Sequence, residues 1–349
     1  MNTKIVKIDP AHPRMEDIRE AGKIIRAGGL VAFPTETVYG LGGNALDVTA
    51  SQRIYAAKGR PSDNPLIVHI ADMASLPPLV TEIPEAARKL AKACWPGPLT
   101  MIFHKSSIVP LETTGGLDSV AVRFPSHPIA RALIREAGGY VAAPSANTSG
   151  RPSPTLAEHV IEDLQGKIEM IVDGGSVGIG LESTIVDFTE SVPTILRPGY
   201  INEQMLRDIL GEVRMDKGLI AEDSRVHPKA PGMKYRHYAP KGSLLIVEGQ
   251  TDRVAEKIEE MAREKTAAGY TVGIIGTDES VGRYSSGIIK SIGARSDEES
   301  IGRHLYSVLR EFDDCGAAYI FSESFDTPKM GQAIMNRLLK AAGHQVIRV

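Results

Sequence analysis

The chain has 349 residues, enough for two domains, and 42% of them are hydrophobic, 24% charged and 5% aromatic. This is the composition of an ordinary globular protein. A net charge of −3 at pH 7 gives no overall attraction to nucleic acid, so an RNA contact would need a local patch.

Cysteine content and the absence of long apolar runs indicate the cellular compartment of the chain. Cys94 and Cys315 lie far apart and form no CxxC pair, which argues against a disulfide framework or a thiolate zinc site. The N-terminus has no apolar signal core, and no stretch approaches about 20 apolar residues. We therefore expect a cytoplasmic protein that contacts no membrane.

Residues 1–211 alternate helical and strand-like patterns, as in an α/β domain. The predicted helices cover residues 15–28, 49–58, 84–94, 127–136, 156–165 and 202–210. The predicted strands cover residues 30–33, 65–70, 99–103, 119–124, 140–143, 170–173 and 183–188. The three glycines of the GLGG run at residues 40–43 allow close backbone approach or an unusual φ.

Residues 212–241 have no periodicity and carry a basic and aromatic run, Lys234-Tyr235-Arg236-His237-Tyr238. A plain flexible spacer would be rich in glycine and serine. We predict a linker that folds over the site as a lid, with Tyr235, Arg236 or His237 near a bound nucleotide. The alternative is that these rings only pack two domains together.

Residues 242–349 return to the alternating pattern and predict a small doubly wound domain with a parallel sheet. The predicted strands cover residues 244–247, 270–275, 317–321 and 345–349. The predicted helices cover residues 251–267, 297–312 and 328–341.

Lys58 and Arg60 follow a predicted helix and precede a buried strand, a usual place for a ligand site in an α/β protein. Both cations suit phosphate oxygens, Arg as a rigid fork and Lys as a point charge. Lys58 would equally suit the C-terminus of the helix as a cap. No GxxxxGK[ST] motif is present, so this is not a P-loop.

Other polar residues stand next to predicted strands, and each allows two interpretations. Ser145 and Asn147 offer a hydroxyl and an amide to a nucleotide, or they are ordinary turn residues. His69 is a ligand contact or a core histidine, and Arg123 needs an anion if it is buried, from a ligand or from the protein. Ser183 follows a glycine-rich run that could bind an anion.

No Ser-His-Asp pattern, GxSxG elbow or HExxH motif appears, so the residues indicate an enzyme that positions its substrates without a covalent nucleophile. The motifs PTETVYGLG, KGRPSDNPLIVHI, WPGPLT, VAVRFP, APSANTSGRPSPT, LESTIVD, LRPG and APGMKYRHYAP occur in this order. Together they resemble the long, two-domain form of the YrdC-like family, the L-threonylcarbamoyladenylate synthases. The family's paired KxR and SxN motifs stand here as Lys58, Arg60, Ser145 and Asn147.

The resemblance implies a catalytic domain with a mixed, twisted open sheet and flanking helices, and a Rossmann-like C-terminal domain. It implies a nucleotidyltransferase that makes threonylcarbamoyl-AMP and pyrophosphate from L-threonine, bicarbonate and ATP with Mg²⁺. The product would pass to proteins that transfer threonylcarbamoyl to the tRNA adenosine next to the anticodon. Direct tRNA binding by this chain would be weak or absent.

The resemblance also implies site residues, with Lys58 and Arg60 as the catalytic pair and no metal held directly by protein. Its threonine contacts are Thr37, His69, Arg123, Ala143 and Ser183. Its ATP contacts are Lys58, Arg60, Asn64, Ser119, Ser145, Asn147, Ser153 and Arg197. A rival hypothesis is an RNA-binding module of the same family without catalysis of its own.

Overall fold

The computed structural model describes residues 1–216, 237–325 and 327–349. The chain divides into two compact units, of which the first comprises Met1–Ser149, Pro154–Gly178 and Glu182–Lys234. The second comprises Gly150–Ser153, Ile179–Leu181 and Tyr235–Val349. Within the described ranges, the helices are all too short or too polar to cross a bilayer.

The first unit contains a large sheet with helices packed against it. Its strands are β1 (Lys4–Lys7), β2 (Val31–Phe33), β3 (Gly40–Asn44), β4 (Ile67–His69), β5 (Leu99–His104), β6 (Ser119–Arg123), β7 (Val141–Ala142), β8 (Met170–Asp173), β9 (Thr184–Asp187), β10 (Thr194–Arg197) and β11 (Arg214–Met215). Its helices are α1 (Met15–Arg26), α2 (Val48–Lys58), α3 (Glu85–Cys94), α4 (Leu111–Thr114), α5 (Pro128–Glu136), α6 (Ala157–Leu164) and α7 (Glu203–Leu210).

Among the described residues the sheet of the first unit has 11 strands, in the order β1-β8-β2-β3-β7-β4-β6-β5-β9-β10-β11. It contains parallel pairs, such as β4 with β6, and antiparallel pairs, such as β5 with β6. The predicted mixed sheet with flanking helices is therefore confirmed. Strands β1, β3, β10 and β11 and the short helix α4 were not predicted.

The sequence of strand β3 explains why this strand was not predicted. Its sequence, GLGGN, has few of the branched or aromatic side chains that favour strands. Close packing explains the glycines, because a Cβ at Gly42 would lie 2.7 Å from a ring carbon of Phe33 and 2.9 Å from a methyl of Val141. Real Cβ contacts are rarely so short, so this strand needs glycine for space.

Apolar side chains form the cores of the first unit. Helix α1 buries Ile18, Ala21 and Ile25 at helical spacing, and α5 adds Ile129 and Leu133 to the same cluster. A larger cluster includes residues of α2, α3, α6 and α7. A third and much smaller group lies on the central strands and consists of Ile67, Ile102, Ala121, Ile185 and Leu196.

The second unit contains a five-stranded sheet whose pairs are all parallel, in the order β14-β13-β15-β12-β16. Its strands are β12 (Ser243–Glu248), β13 (Val272–Gly276), β14 (Ile288–Ser291), β15 (Tyr319–Glu323) and β16 (Val346–Arg348). Its helices are α8 (Thr251–Ala267), α9 (Glu298–Asp314) and α10 (Gly331–Ala341). The predicted C-terminal parallel sheet is confirmed, although the edge strand β14 was not predicted.

Candidate functional site

The directions of the central strands bring predicted site residues to one edge of the sheet. His69 and Arg123 end the parallel strands β4 and β6 and pair in register. Strand β5 runs antiparallel to β6, so Thr100 near its start lies opposite Arg123. Ser183 precedes β9, which is parallel to β5, and Arg197 ends β10, which is antiparallel to β9.

Strand register also places several of these side chains on one face. Residues paired across strands point to the same face, and so do residues two apart along a strand. His69, Arg123 and Thr100 therefore share a face with Ile67 and Ala121. The small apolar group of the central strands thus lies beside the polar row and forms the floor of a candidate site.

Arg123 is paired with a carboxylate of the protein. Its side chain is only 5% exposed, and Nη2 donates to Oε1 of Glu36 at 2.8 Å. Burial raises the pKa of Glu36, but the charge and hydrogen bond of Arg123 outweigh burial and hold that pKa below its usual value. The pair is therefore ionised at neutral pH.

The Arg123–Glu36 pair keeps unused hydrogen-bonding capacity. Nε of Arg123 and Oε2 of Glu36 are both buried and have no hydrogen-bond partner in the described part of the chain. Buried polar atoms are normally paired, so such exceptions at a strand edge indicate a place for a ligand.

His69 is buried, 3% exposed, next to Arg123. Its Nδ1 lies 3.1 Å from the carbonyl oxygen of Ile67. Burial, and then the nearby charge of Arg123, lower the pKa of His69 to about 3. The ring is therefore neutral at physiological pH, which suits hydrogen bonding to a polar ligand better than acid–base chemistry.

A chain of hydrogen bonds joins Arg197, Ser183 and Thr100. Arg197 donates from Nε to the Ser183 carbonyl at 3.0 Å and from Nη2 to the Ser183 hydroxyl at 3.2 Å. The Ser183 and Thr100 hydroxyls lie 2.8 Å apart. The three side chains are almost fully buried. Arg197 thereby fixes the position of the Ser183 hydroxyl.

Two further predicted threonine contacts are buried in the first unit. Thr37 is fully buried, and its hydroxyl lies 3.0 Å from that of Thr35 in the turn between β2 and β3. Ala143 follows β7, and its backbone N–H donates to the Ile67 carbonyl at 2.9 Å. These contacts place Ala143 beside the floor of the candidate site.

Lys58 and the SxN segment are brought together, as the resemblance implies. Helix α2 ends at Lys58, and Gly59 follows in the left-handed conformation with φ of 61°. The Lys58 ammonium is buried and donates to the carbonyl of Ser145 at 2.5 Å and to the carbonyl of Asn147. The cation therefore does more than cap its own helix: it holds the turn after β7.

Within that turn, the Ser145 hydroxyl donates to Oδ1 of Asn147 at 2.6 Å. Arg60 donates to the carbonyls of Asn64 and Pro65 at 3.2 and 3.0 Å. The side-chain oxygen of Asn64 is buried, and no described residue bonds to it. The predicted phosphate-binding residues thus form a set of cations and amides tied to backbone carbonyls.

The other predicted nucleotide contacts are more dispersed. Ser119 begins β6 and is half-buried, four residues before Arg123. Ser153 is fully buried and belongs to the second unit. His237, half-buried in the second unit, has its ring centroid 5.6 Å from that of Tyr238. Tyr235 and Arg236 lie outside the described residues, so the predicted lid stays a prediction.

Glu36 and Thr100 were not identified from the sequence. Both stand inside quoted motifs, PTETVYGLG and WPGPLT, and Glu36 is the only charge in a segment of hydroxyl, apolar and glycine residues. That isolated charge was the available signal. Across residues 1–216, 237–325 and 327–349, no group of three or more His, Cys, Asp or Glu side chains could hold a metal ion.

Comparisons with known proteins agree with this arrangement. The family model Sua5_yciO_yrdC, described as telomere recombination, matches residues 23–199. A second model, described as the C-terminal domain of threonylcarbamoyl-AMP synthase, matches residues 201–343.

Full-length relatives extend the match to nearly the whole chain. The threonylcarbamoyl-AMP synthase of Pyrococcus abyssi is 50% identical over 95% of this chain and 96% of its own. That of Bacillus subtilis is 49% identical over 95% of this chain and 94% of its own. The crystal structure of P. abyssi Sua5 complexed with L-threonine has a TM-score of 0.94 and 47% identity, covering 99% of this chain and 100% of that one. The chain therefore belongs to the Sua5/YrdC family of threonylcarbamoyl-AMP synthases.

Proposed function

We propose that this chain joins L-threonine, bicarbonate or CO2, and ATP into threonylcarbamoyl-AMP and pyrophosphate. The supporting observation is the Arg123–Glu36 pair with its unused hydrogen-bonding atoms, in a row that also contains His69 and Ser183. A relative 47% identical to this chain was crystallised with L-threonine. The threonine site then lies at the edge where β4 and β6 end.

The proposed reaction has two steps. The ammonium group of threonine first loses a proton to solvent, the resulting amine attacks CO2, and loss of a second proton from the nitrogen to solvent gives a carbamate. A carbamate oxygen then attacks the α-phosphorus of ATP in line, and pyrophosphate leaves. Both partners of the second step are anionic, so cations must offset their repulsion and the charge that grows on the leaving group.

The residues suit these tasks. Arg123 pairs with the threonine carboxylate, since guanidinium and carboxylate match in a bidentate geometry. Lys58 and Arg60 are the cations for the phosphates, and Ser145 and Asn147 contribute hydroxyl and amide contacts to the nucleotide. The neutral ring of His69 and the hydroxyls of Thr37 and Ser183 read the threonine hydroxyl. Positioning poorly reactive groups in this way supplies much of an acceleration.

The proposal includes Mg²⁺ that enters with ATP. Apart from Glu36, which pairs with Arg123, the described site residues are cations, hydroxyls, amides and a neutral ring, a set that fits phosphate oxygens better than a metal ion. Mg²⁺ is commonly held by substrate phosphates and water and needs few protein ligands. When bound to ATP it supplies further charge neutralisation on the phosphates.

The proposed product is an activated intermediate. Its threonylcarbamoyl group would pass to separate proteins that place it on the tRNA adenosine next to the anticodon. The net charge of −3 supports the view that this chain binds tRNA weakly or not at all. The proposed location is the cytoplasm.

Product analysis with the full chain tests the proposal. Pyrophosphate should form from ATP and Mg²⁺ only when L-threonine and bicarbonate are both present, and the nucleotide product should have the mass of threonylcarbamoyl-AMP. Arg60→Ala should lower turnover by about 10²- to 10³-fold, because phosphate charge is no longer offset. Equal pyrophosphate release without threonine would refute the proposed activity.

A further inference from the structure

Glu36 has an arrangement that a purely structural partner of Arg123 does not require. One carboxylate oxygen, Oε1, accepts from Arg123 Nη2 at 2.8 Å. The other, Oε2, is buried and has no hydrogen-bond partner among the described residues. The side chain is 14% exposed, whereas that of Arg123 is 5% exposed. The carboxylate thus keeps one oxygen available to a donor that comes from outside.

The charges around this oxygen favour a cationic donor. Glu36 is ionised at neutral pH, because the charge and hydrogen bond of Arg123 hold its pKa down against the effect of burial. His127 lies near Glu36, and burial lowers the pKa of its ring, so this ring is neutral and brings no positive charge to the carboxylate. A buried carboxylate oxygen is a costly group to leave unpaired, and a charged N–H donor is its strongest partner.

The proposed substrate carries such a donor. Threonine binds as a zwitterion, with one carboxylate and one ammonium group separated by a single carbon. A pocket with an arginine alone would pair the carboxylate and leave the ammonium buried without a counter-charge. The Arg123–Glu36 pair carries one charge of each sign side by side, so both ends of the zwitterion find an opposite charge.

We propose that Glu36 is the residue that binds the α-ammonium group of threonine, next to the carboxylate site at Arg123. This inference rests on the proposed function, and it assigns a residue to the nitrogen that becomes the carbamate. The ammonium charge disappears once that nitrogen is carboxylated, and the resulting anion is repelled by Glu36. Glu36 therefore acts on threonine binding, and it favours movement of the carbamate away from itself.

Binding measurements with two ligands test this assignment. L-Threonine and (R)-3-hydroxybutyrate share the carboxylate and the hydroxyl, but only threonine has the ammonium group. Titration calorimetry on the full-length wild type, Glu36→Gln and Glu169→Gln would measure both affinities. Glu169 is a matched control, because it pairs with Arg53 at 2.5 Å in the same unit, accepts from the Leu30 amide and is not a predicted site residue.

The expected result is selective. Wild type and Glu169→Gln should bind threonine about 10- to 100-fold more tightly than (R)-3-hydroxybutyrate, as for a charge-assisted hydrogen bond. Glu36→Gln should lose most of that preference, with its affinity for (R)-3-hydroxybutyrate nearly unchanged. In turnover, the same variant should raise KM for threonine far more than it changes KM for ATP.

Other outcomes would overturn the assignment. If Glu36→Gln weakens both ligands equally, Glu36 only positions Arg123. If the wild type binds both ligands equally, the protein does not recognise the ammonium group. This comparison uses the wild type alone, so it does not depend on whether a variant folds. If the wild type binds no threonine at all, the proposed function itself fails, which is distinct from a normal threonine affinity with no role for Glu36.

Discussion

Each unit holds an Arg–Glu pair beside its central strands, and the two pairs differ in how fully they are satisfied. In the second unit, Glu323 accepts from the Tyr284 hydroxyl at 2.8 Å and from Arg295 Nη2 at 2.5 Å. Arg295 also donates to the Ser324 carbonyl at 3.0 Å. In the first unit, one buried oxygen of Glu36 and one buried nitrogen of Arg123 have no hydrogen-bond partner among the described residues.

Under the proposed function, this difference separates a structural ion pair in the second unit from a ligand-binding pair in the first. Both oxygens of Glu323 accept hydrogen bonds from the protein itself, so that pair has little left to offer a ligand, and it joins the end of β15 to Tyr284 and Arg295. The first pair still has two buried atoms, Oε2 of Glu36 and Nε of Arg123, that can bond to a ligand. A buried ion pair is by itself weak evidence of a stabilising role. Buried polar atoms of the pair that lack a hydrogen-bond partner indicate instead that the pair recognises a ligand.

The largest expected difference between the two pairs is in activity after removal of each arginine, Arg123 or Arg295. Arg123→Ala should lower kcat/KM for threonine by about 10³-fold, because a bidentate charge pair with substrate is lost. Arg295→Ala should lower it by less than about tenfold at a temperature where the variant is folded. Pyrophosphate release at varied threonine gives both values. Equal losses would show that the two pairs do not differ in kind.

The second experiment measures stability. Arg295→Ala should lower the free energy of unfolding by about 2–4 kcal/mol, because it leaves the buried Glu323 without its cation. The loss falls short of that of a fully buried pair, since the Arg295 side chain is 37% exposed. Denaturant unfolding followed by circular dichroism would measure it. An unchanged midpoint would contradict a structural role for the second pair.

The third experiment concerns pH and the neighbour of the first pair. His69 has a lowered pKa in the folded protein, about 3 against 6.5, so the unfolded chain takes up this proton first as pH falls. Between pH 6.5 and 5, His69 should therefore reduce stability by roughly 1 kcal/mol per pH unit. His69→Gln should remove that part of the slope. Parallel wild-type and variant curves would show that His69 is not buried as a neutral ring.

A similarly small effect is expected from Tyr284→Phe, which removes one donor to Glu323 and no charge. The cost should be about 1–2 kcal/mol, the usual range for leaving a buried acceptor short of a partner. Activity should stay within about twofold of the wild type. Thermal melting and pyrophosphate release would check both, and a large loss of activity would place the second pair in the reaction.

The sequence alone was sufficient for the two strands that end in His69 and Arg123. The apolar runs before His69 and Arg123 predicted buried strands, and both residues lie where those strands end. The Glu36–Arg123 contact was not predictable, because the residues are 87 positions apart and only strand pairing brings them together. Likewise, strand β10 is four residues long and follows a proline, so no period was visible.

Lys58 shows a different limit. Its position at the end of α2 was predicted, and so was its suitability as a helix cap. The pattern could not reveal that its ammonium reaches the Ser145 and Asn147 carbonyls, almost 90 residues further along the chain. Local periodicity predicts the helix or strand at whose end a residue lies. The direction of a long flexible side chain depends instead on tertiary packing.

Strand β6 sets the spacing between a proposed nucleotide contact and a proposed threonine contact. Ser119 and Arg123 stand on one face of it, four residues apart, which corresponds to about 13 Å along a strand. Deleting one residue between them would turn Ser119 to the opposite face, since side chains alternate. Inserting two would keep the face but add about 7 Å to the spacing. In the proposed site, the distance between the threonine contact Arg123 and the nucleotide contact Ser119 is therefore set by backbone length, which no change of side chain can adjust.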